Sequence, residues 1–225
     1  MTIQKVNRRI AEVFTEQSKY CYEGTDILIN KLGIEDEMTL ENIERTMTTY
    51  NLSRLYLEPI EGNFDVDHYL KIHKFLFDYL YDFAGKIRVE NMSKGNTPFC
   101  RPEYIYKYLR CLLQEMKKKI IYIETVEQLV EFLAYYYSEI NIVHPFREGN
   151  GRTQREFFRE YVHEMSKKLN FGNYELDYSL WDNQDHKQLI LGSILSSHNG
   201  DLSILKSVLG KCLVQVEVKK IGKNR

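Results

Sequence analysis

Apolar side chains recur along most of this chain at the three- and four-residue intervals of helices. Ile3, Val6, Ile10, Val13 and Phe14, with Lys5, Arg8, Arg9 and Glu12 between them, predict an amphipathic helix over residues 3–18. After the turn Tyr20-Cys-Tyr-Glu-Gly-Thr-Asp26, a second helix is expected, with Thr25 or Asp26 as its N-cap. A third runs from about Thr39 to near Leu55. A fourth begins at Asp65, its apolar face built from Leu70, Ile72, Phe75, Leu76 and Leu80 together with His68 and His73. Those two histidines are five apart, not the three or four that would align two ligands on a helix, so they read as structural and no metal site is expected there. Pro102 to Met116 predicts another helix with Tyr104, Tyr108, Leu109 and Leu112 inward, and Lys117-Lys-Lys119 complements its C-terminal dipole. Thr125 opens the next, with Leu129, Phe132, Leu133, Tyr136 and Ile140 as its core stripe. Phe157, Phe158, Tyr161, Val162 and Met165 mark one more. Trp181-Asp-Asn183 begins another, Asp201 caps a last helix containing Leu202, Leu205, Val208 and Leu209, and residues 219–225 read as a frayed tail.

The helical period fails between Ala84 and Arg101. Ile87 and Val89 alternate with polar neighbours, and Ser93-Lys-Gly-Asn-Thr-Pro98 supplies turn chemistry, which predicts a short hairpin with an exposed edge. Such an edge can take a strand from a partner through backbone hydrogen bonds. The fold expected is therefore one all-α domain over residues 1–225 with a small β-hairpin, without internal repeat or linker.

Composition changes this picture little. Twelve glycines and four prolines in 225 residues suit a mostly helical chain. A net charge of −1 gives no global case for nucleic acid. Cys21, Cys100, Cys111 and Cys212 have no paired spacing, which fits a reducing compartment. With no signal peptide and no apolar run long enough for a bilayer, a soluble, cytoplasmic protein away from the membrane is expected.

Chemistry concentrates in residues 141–158. His144 follows an apolar helical run and precedes Pro145, a position pushed out of the α region, so it stands where a helix has just ended. Imidazole accepts a proton near neutral pH without retuning. Glu148 is a hard oxygen ligand of the kind that holds Mg²⁺ together with substrate phosphates. Gly149 and Gly151 flank Asn150 and let the backbone turn its N–H groups toward an anion, at the N-terminus of the helix that follows. Arg152 and Arg155, three apart on that first turn, can both face phosphate oxygens. Singly, each residue has a plain alternative: a structural histidine, a Gly-Asn-Gly turn, a surface Glu148–Arg152 pair worth little. Their order and density point to a nucleoside-phosphate site with a base beside it.

His144-Pro-Phe-Arg-Glu-Gly-Asn-Gly-Arg-Thr-Gln-Arg155 resembles the full signature of the Fic family, His-Pro-Phe-x-(Asp/Glu)-Gly-Asn-Gly-Arg-x-x-Arg. Tyr22-Glu-Gly-Thr-Asp-Ile-Leu28, continuing to Asn30-Lys-Leu-Gly33, resembles the opening of short toxin-type members. The resemblance implies a Fic domain with an N-terminal helical extension over residues 1–20, a flap over 84–101 and the motif over 144–155. It implies transfer of AMP from ATP to a hydroxyl of a target protein, self-modification included. His144 would be the base and Glu148 the Mg²⁺ ligand. Gly149, Asn150 and Gly151 would form the anion hole, and Arg152 and Arg155 would hold the β and γ phosphates. The hairpin residues Ser93, Lys94, Gly95, Asn96, Thr97, Pro98 and Phe99 would dock the target. Trp181 or Asn183 would line the adenosine pocket. Doc-type relatives, which phosphorylate instead, typically lose the glycine-rich loop that is intact here. The alternatives are transfer of another phosphate-containing group, or nucleotide binding without catalysis.

Fic enzymes are commonly restrained by a helix bearing Ser/Thr-x-x-x-Glu-Gly/Asn whose glutamate meets the arginine matching Arg152. No glutamate in this chain has Ser or Thr four residues before it. The expectation is that Arg152 has no such carboxylate in cis and that a small antitoxin-like partner supplies it, with Glu12 or Glu16 of the first helix as the rival.

Overall fold

Most of the helices begin beside a side chain that accepts a hydrogen bond from an N–H of the first turn, which has no partner within the helix. The computed structural model describes residues 17–94 and 97–216. In it α1 (Glu37–Leu57) is capped by Asp36, α2 (Val66–Phe77) by Asp65, and α3 (Pro102–Lys119) starts on Pro102, whose missing N–H costs nothing there. Thr125 caps α4 (Val126–Val143), Gly149 precedes α5 (Asn150–Ser166), and Asp182 with Asp185 forms a capping box on α6 (Asn183–Asn199). The last helix, α7 (Ser203–Cys212), runs directly into a strand.

Two antiparallel pairs complete the architecture. In the flap hairpin, β1 (Ser93–Lys94) and β2 (Thr97–Pro98) set Ser93 opposite Pro98 and Lys94 opposite Thr97. The second pair, β3 (Asn173–Leu176) with β4 (Leu213–Val216), closes beside α5. Around α4 pack α3, α5, α6 and α7, and α5 also lies against α2. The shared core is aromatic: Tyr69, His73, Phe146 and Phe157 are fully buried, with the rings of Tyr69 and His73 stacked on Phe146. This fixes the loop between α4 and α5 from below.

The structure departs from the expected pattern at several points. The helix over 3–18 and the tail over 219–225 lie outside the described residues, apart from Gln17 and Ser18. The second helix does not form. Cys21 and Leu28 pair as an isolated bridge, and the Asn30 side chain bonds the backbone of Leu28, Leu32 and Ile34, so polar side-chain bonds replace a helical ladder. On α3, Tyr104 and Tyr108 point outward, because Ile105, Leu109, Leu112, Leu113 and Met116 offer a better apolar seam. The β3–β4 pair was not expected.

Candidate active site

α4 ends at Val143, and His144 takes the left-handed conformation (φ 46°, ψ 63°) that turns the chain out of the helix. A non-glycine residue is costly there, of order 1–3 kcal/mol, and persists only where its surroundings fix it. The imidazole Nδ1 faces the Asn141 carbonyl at 3.3 Å. Only an N–H can make that contact, so Nδ1 carries the proton and Nε2 keeps the lone pair. The Phe99 ring lies on the imidazole face, with centroids 3.8 Å apart. Burial pulls the imidazole pKa down to about 4, opposed by the Asn141 carbonyl and reinforced by the positive charges of Arg88 and Lys94. Near neutrality the ring is therefore an unprotonated base.

The glycine loop folds on itself. Asn150 is buried, its side chain bonding both the N–H and the carbonyl of Phe146, so it shapes the loop and only its backbone N–H can face a ligand. Gly149 stands at φ 80° with Phe77 beneath it; a Cβ there would lie 2.3 Å from the Phe77 ring. From below, His73 accepts the Gly85 N–H on Nδ1 at 2.8 Å and donates from Nε2 to the Glu148 carbonyl at 2.9 Å. His73 is thus structural, as expected, and it supports the motif directly.

Two hollows flank this loop. One, of about 250 Å³, lies under the flap and is lined by Lys94, Phe99, His144, Gly151, Arg155 and the α6 residues Leu189, Ser193 and Ile194. The other, of about 540 Å³, is charged and holds Glu44, Arg147, Glu148, Arg152 and Arg155. Arg155 belongs to both. His144, Gly151 and Arg155 thus meet at one hollow and Glu148, Arg152 and Arg155 at the other, while Gly95 and Asn96 of the flap lie outside the described residues. Trp181 and Asn183 line neither hollow. Trp181 is buried and donates to the Val208 carbonyl, and Asn183 is exposed at the start of α6. The hollow under the flap is lined instead by Leu189, Ser193 and Ile194, further along α6.

Arg152 is not without a carboxylate in cis. Its guanidinium donates to Glu44 at 2.5 Å, to Glu148 at 3.2 Å and to the Thr48 hydroxyl at 3.2 Å, and its plane lies over Phe77. Tyr81 donates to the other Glu44 oxygen. Glu44 and Thr48 are one helical turn apart on α1, and the only sequence signal for them is that spacing, since Glu44 follows Leu40 and not Ser or Thr. Among the described residues no group of three or more His, Cys, Asp or Glu side chains could hold a metal alone. Glu148, partly exposed in a hollow lined by Arg45, Arg147, Arg152 and Arg155, suits instead an ion that brings phosphate oxygens as its other ligands.

The sequence profile of the Fic/DOC family matches residues 63–162. The probable protein adenylyltransferase y4lH of Sinorhizobium fredii is 31% identical over 195 residues, covering 86% of this chain and 94% of that protein. The chain belongs to the Fic/DOC family. Protein adenylyltransferase VbhT of Bartonella schoenbuchensis is also 31% identical over 89% of this Fic chain, which spans 40% of that longer protein. Among solved structures, the Fic chain has the fold of the Bartonella effector BepC from Bartonella tribocorum, solved with AMPPNP, at TM-score 0.76 and 22% identity over 91% of this chain and 100% of that one. A Fic domain from Bartonella quintana, solved with ADP, gives a TM-score of 0.75 at 23% identity, over 88% and 95% of the two chains. No helix among the described residues is long and apolar enough to cross a membrane.

Proposed function

We propose that this Fic chain is a protein adenylyltransferase that moves AMP from ATP to a hydroxyl of a target protein. The observation that carries this reading is the hollow under the flap, where the unprotonated Nε2 of His144, the N-terminus of α5 at Gly151 and the Arg155 guanidinium converge. Its apolar wall on α6, with Ser193 and Ser197 among Leu189 and Ile194, suits an adenosine. The charged hollow beyond Arg155 suits the β and γ phosphates, held by Arg155, Arg152 and the backbone N–H groups of Asn150 and Gly151. The similarity to VbhT, a protein adenylyltransferase, and to y4lH, a probable one, supports the same reaction.

In this reading the target segment docks along the flap, residues 93–99, and presents its hydroxyl to His144. Nε2 takes the hydroxyl proton, the oxygen attacks the α-phosphorus, and the bond to the bridging oxygen breaks to release pyrophosphate. Glu148 would hold Mg²⁺, which neutralises charge on the phosphate oxygens when bound. Four unpaired thiols fit a cytoplasmic setting. The missing Ser/Thr-x-x-x-Glu signature supports restraint by an antitoxin-like partner, acting in addition to the Glu44 contact on Arg152.

The experiment is incubation of the chain with lysate and, in parallel samples, ATP labelled on the α-phosphate or on the γ-phosphate. Labelled protein that gains one AMP with release of pyrophosphate is the expected result. Transfer of label from the γ position alone would replace adenylylation by phosphorylation, and ATP binding without transfer would leave a nucleotide-binding protein. His144→Ala should abolish transfer with ATP still bound, whereas Glu148→Ala should weaken both.

A further inference from the structure

Arg88 is the bulkiest of the fully buried side chains, and among the described residues it is joined to no carboxylate. An arginine cannot shed its charge in a protein, so its burial must be offset by hydrogen bonds. All three of those found go to backbone carbonyls. Nε donates to His144 at 2.8 Å, Nη1 to Glu90 at 2.5 Å and Nη2 to Cys100 at 2.5 Å. The main-chain N–H of Arg88 donates to the Pro145 carbonyl at 2.9 Å.

These four acceptors have a pattern. Glu90 and Cys100 bracket the flap, entering and leaving the hairpin closed by the bond from the Phe99 N–H to the Met92 carbonyl. His144 and Pro145 are consecutive, so Arg88 holds the two successive carbonyls that flank Pro145, where the left-handed turn needs support. The guanidinium also sits at the C-terminal end of α4, where a positive charge is favoured by the helix dipole. The charge opposes protonation of the imidazole. A planar fork with five fixed donors can join three carbonyls at once; an ammonium cannot do so in the same geometry.

We propose that Arg88 is a positioning residue that locks the two ends of the flap and the backbone of His144 into one unit, so that a segment docked on the flap is held in register with the imidazole. This rests on the reading of His144 as the base and the flap as the docking edge. It makes target positioning depend on a side chain that touches neither nucleotide nor target.

The test uses the whole chain with Arg88→Lys and Arg88→Met, read by Mg-ATP affinity, by the rate of trypsin cleavage after the exposed Lys94, and by NMR titration of the His144 ring. Both variants should bind Mg-ATP within about twofold of the parent, since the guanidinium faces neither hollow. Cleavage after Lys94 should be at least tenfold faster in both. The His144 midpoint should rise in Arg88→Met and rise less in Arg88→Lys, which keeps the charge. AMP transfer to lysate protein should fall at least a hundredfold in both. A folded variant with parental cleavage and a parental His144 midpoint overturns the proposal, and Arg88→Lys alone decides it if Arg88→Met does not fold. If the parent itself transfers no AMP, the reaction assigned above fails while cleavage and titration still judge Arg88.

Discussion

The ring of Phe99 lies parallel to the imidazole of His144, with centroids 3.8 Å apart and planes 7° from coplanar. In the proposed reaction the flap therefore contributes more than an edge for docking: its last aromatic covers one face of the residue assigned as base, which lines the hollow. Because burial is the largest cause of the depressed His144 pKa, uncovering that face should let it climb from about 4 toward the ordinary value near 6.5. With His144 as the base, transfer needs the neutral ring. The parent should keep its rate down to about pH 5, whereas Phe99→Ala should lose it on descending through pH 6, with Phe99→Leu between the two. Rate profiles from pH 4.5 to 8.5 check this, and an acid limb that does not move would remove Phe99 from the control of the base.

Glu44 and Arg152 lead to a second expectation. The pair is mostly buried, and a charge-assisted hydrogen bond of this kind contributes about 1.5–3 kcal/mol. If the γ-phosphate takes the same guanidinium, ATP must displace Glu44, and that energy is subtracted from nucleotide binding. Glu44→Gln should tighten ATP by about tenfold, on the scale of 1.4 kcal/mol per decade, and leave AMP unchanged. Calorimetric titration with the two nucleotides measures both. Weaker ATP binding in the variant would mean that Glu44 orients Arg152 for the phosphate and does not compete with it.

How much of this was legible depends on the sequence distance between partners. The motif residues lie within twelve positions, so their joint chemistry could be read directly, and Asp65 and Thr125 announced their helices because capping is local, whereas the helix expected from about Thr39 starts at Glu37 behind Asp36. Glu44 was missed because it stands inside a weakly amphipathic helix and meets Arg152 across 108 positions of chain. Arg88 was missed for a different reason: a buried arginine satisfied by carbonyls alone has no partner side chain to look for. The false helix after Thr25 arose because Gly-Thr-Asp is an equally good start for a turn, and Asn30 decides between the two only once folded. Leu213-Val-Gln-Val216 gave no strand signal separate from the apolar helix that it continues.

His73 gives the fold a pH dependence of known sign. Both ring nitrogens are committed in the neutral form, one accepting from Gly85 and one donating to Glu148, and burial lowers the pKa to about 4. The unfolded chain, with an ordinary histidine near 6.5, binds a proton first as the pH falls. Stability from this residue is therefore complete above about pH 6.5, is lost between 6.5 and 4, and changes no further below. From pH 6.5 to 5 the loss should be on the order of 2 kcal/mol at 1.36 kcal/mol per unit. Urea unfolding of the parent and His73→Gln at pH 7 and pH 5 isolates the effect, which should shrink in the variant; an equal loss in both would assign the acid sensitivity elsewhere.

The two loop glycines should separate folding from binding. At Gly149 the backbone is left-handed and a Cβ would meet the Phe77 ring at 2.3 Å, within a buried aromatic core that cannot yield cheaply. Gly149→Ala should cost about 2–4 kcal/mol, from backbone strain plus overpacking, and should weaken nucleotide binding as a consequence of the damaged loop. Gly151 differs in each respect. It lies in the first turn of α5 with ordinary helical backbone, where alanine is favoured over glycine by up to about 1 kcal/mol. The nearest atom to a new Cβ is Arg155 Nη1 at 3.3 Å, the end of a flexible side chain. Gly151→Ala should therefore leave thermal stability unchanged or slightly raised, yet lower ATP affinity, because the methyl stands between the α5 N–H groups and Arg155, on the wall of the hollow beneath the flap. Melting temperature and ATP titration on the same samples measure the two effects. If Gly151→Ala bound ATP as the parent does, the phosphates would have to lie away from this turn, and the assignment of Gly151 and Arg155 to them would fail together.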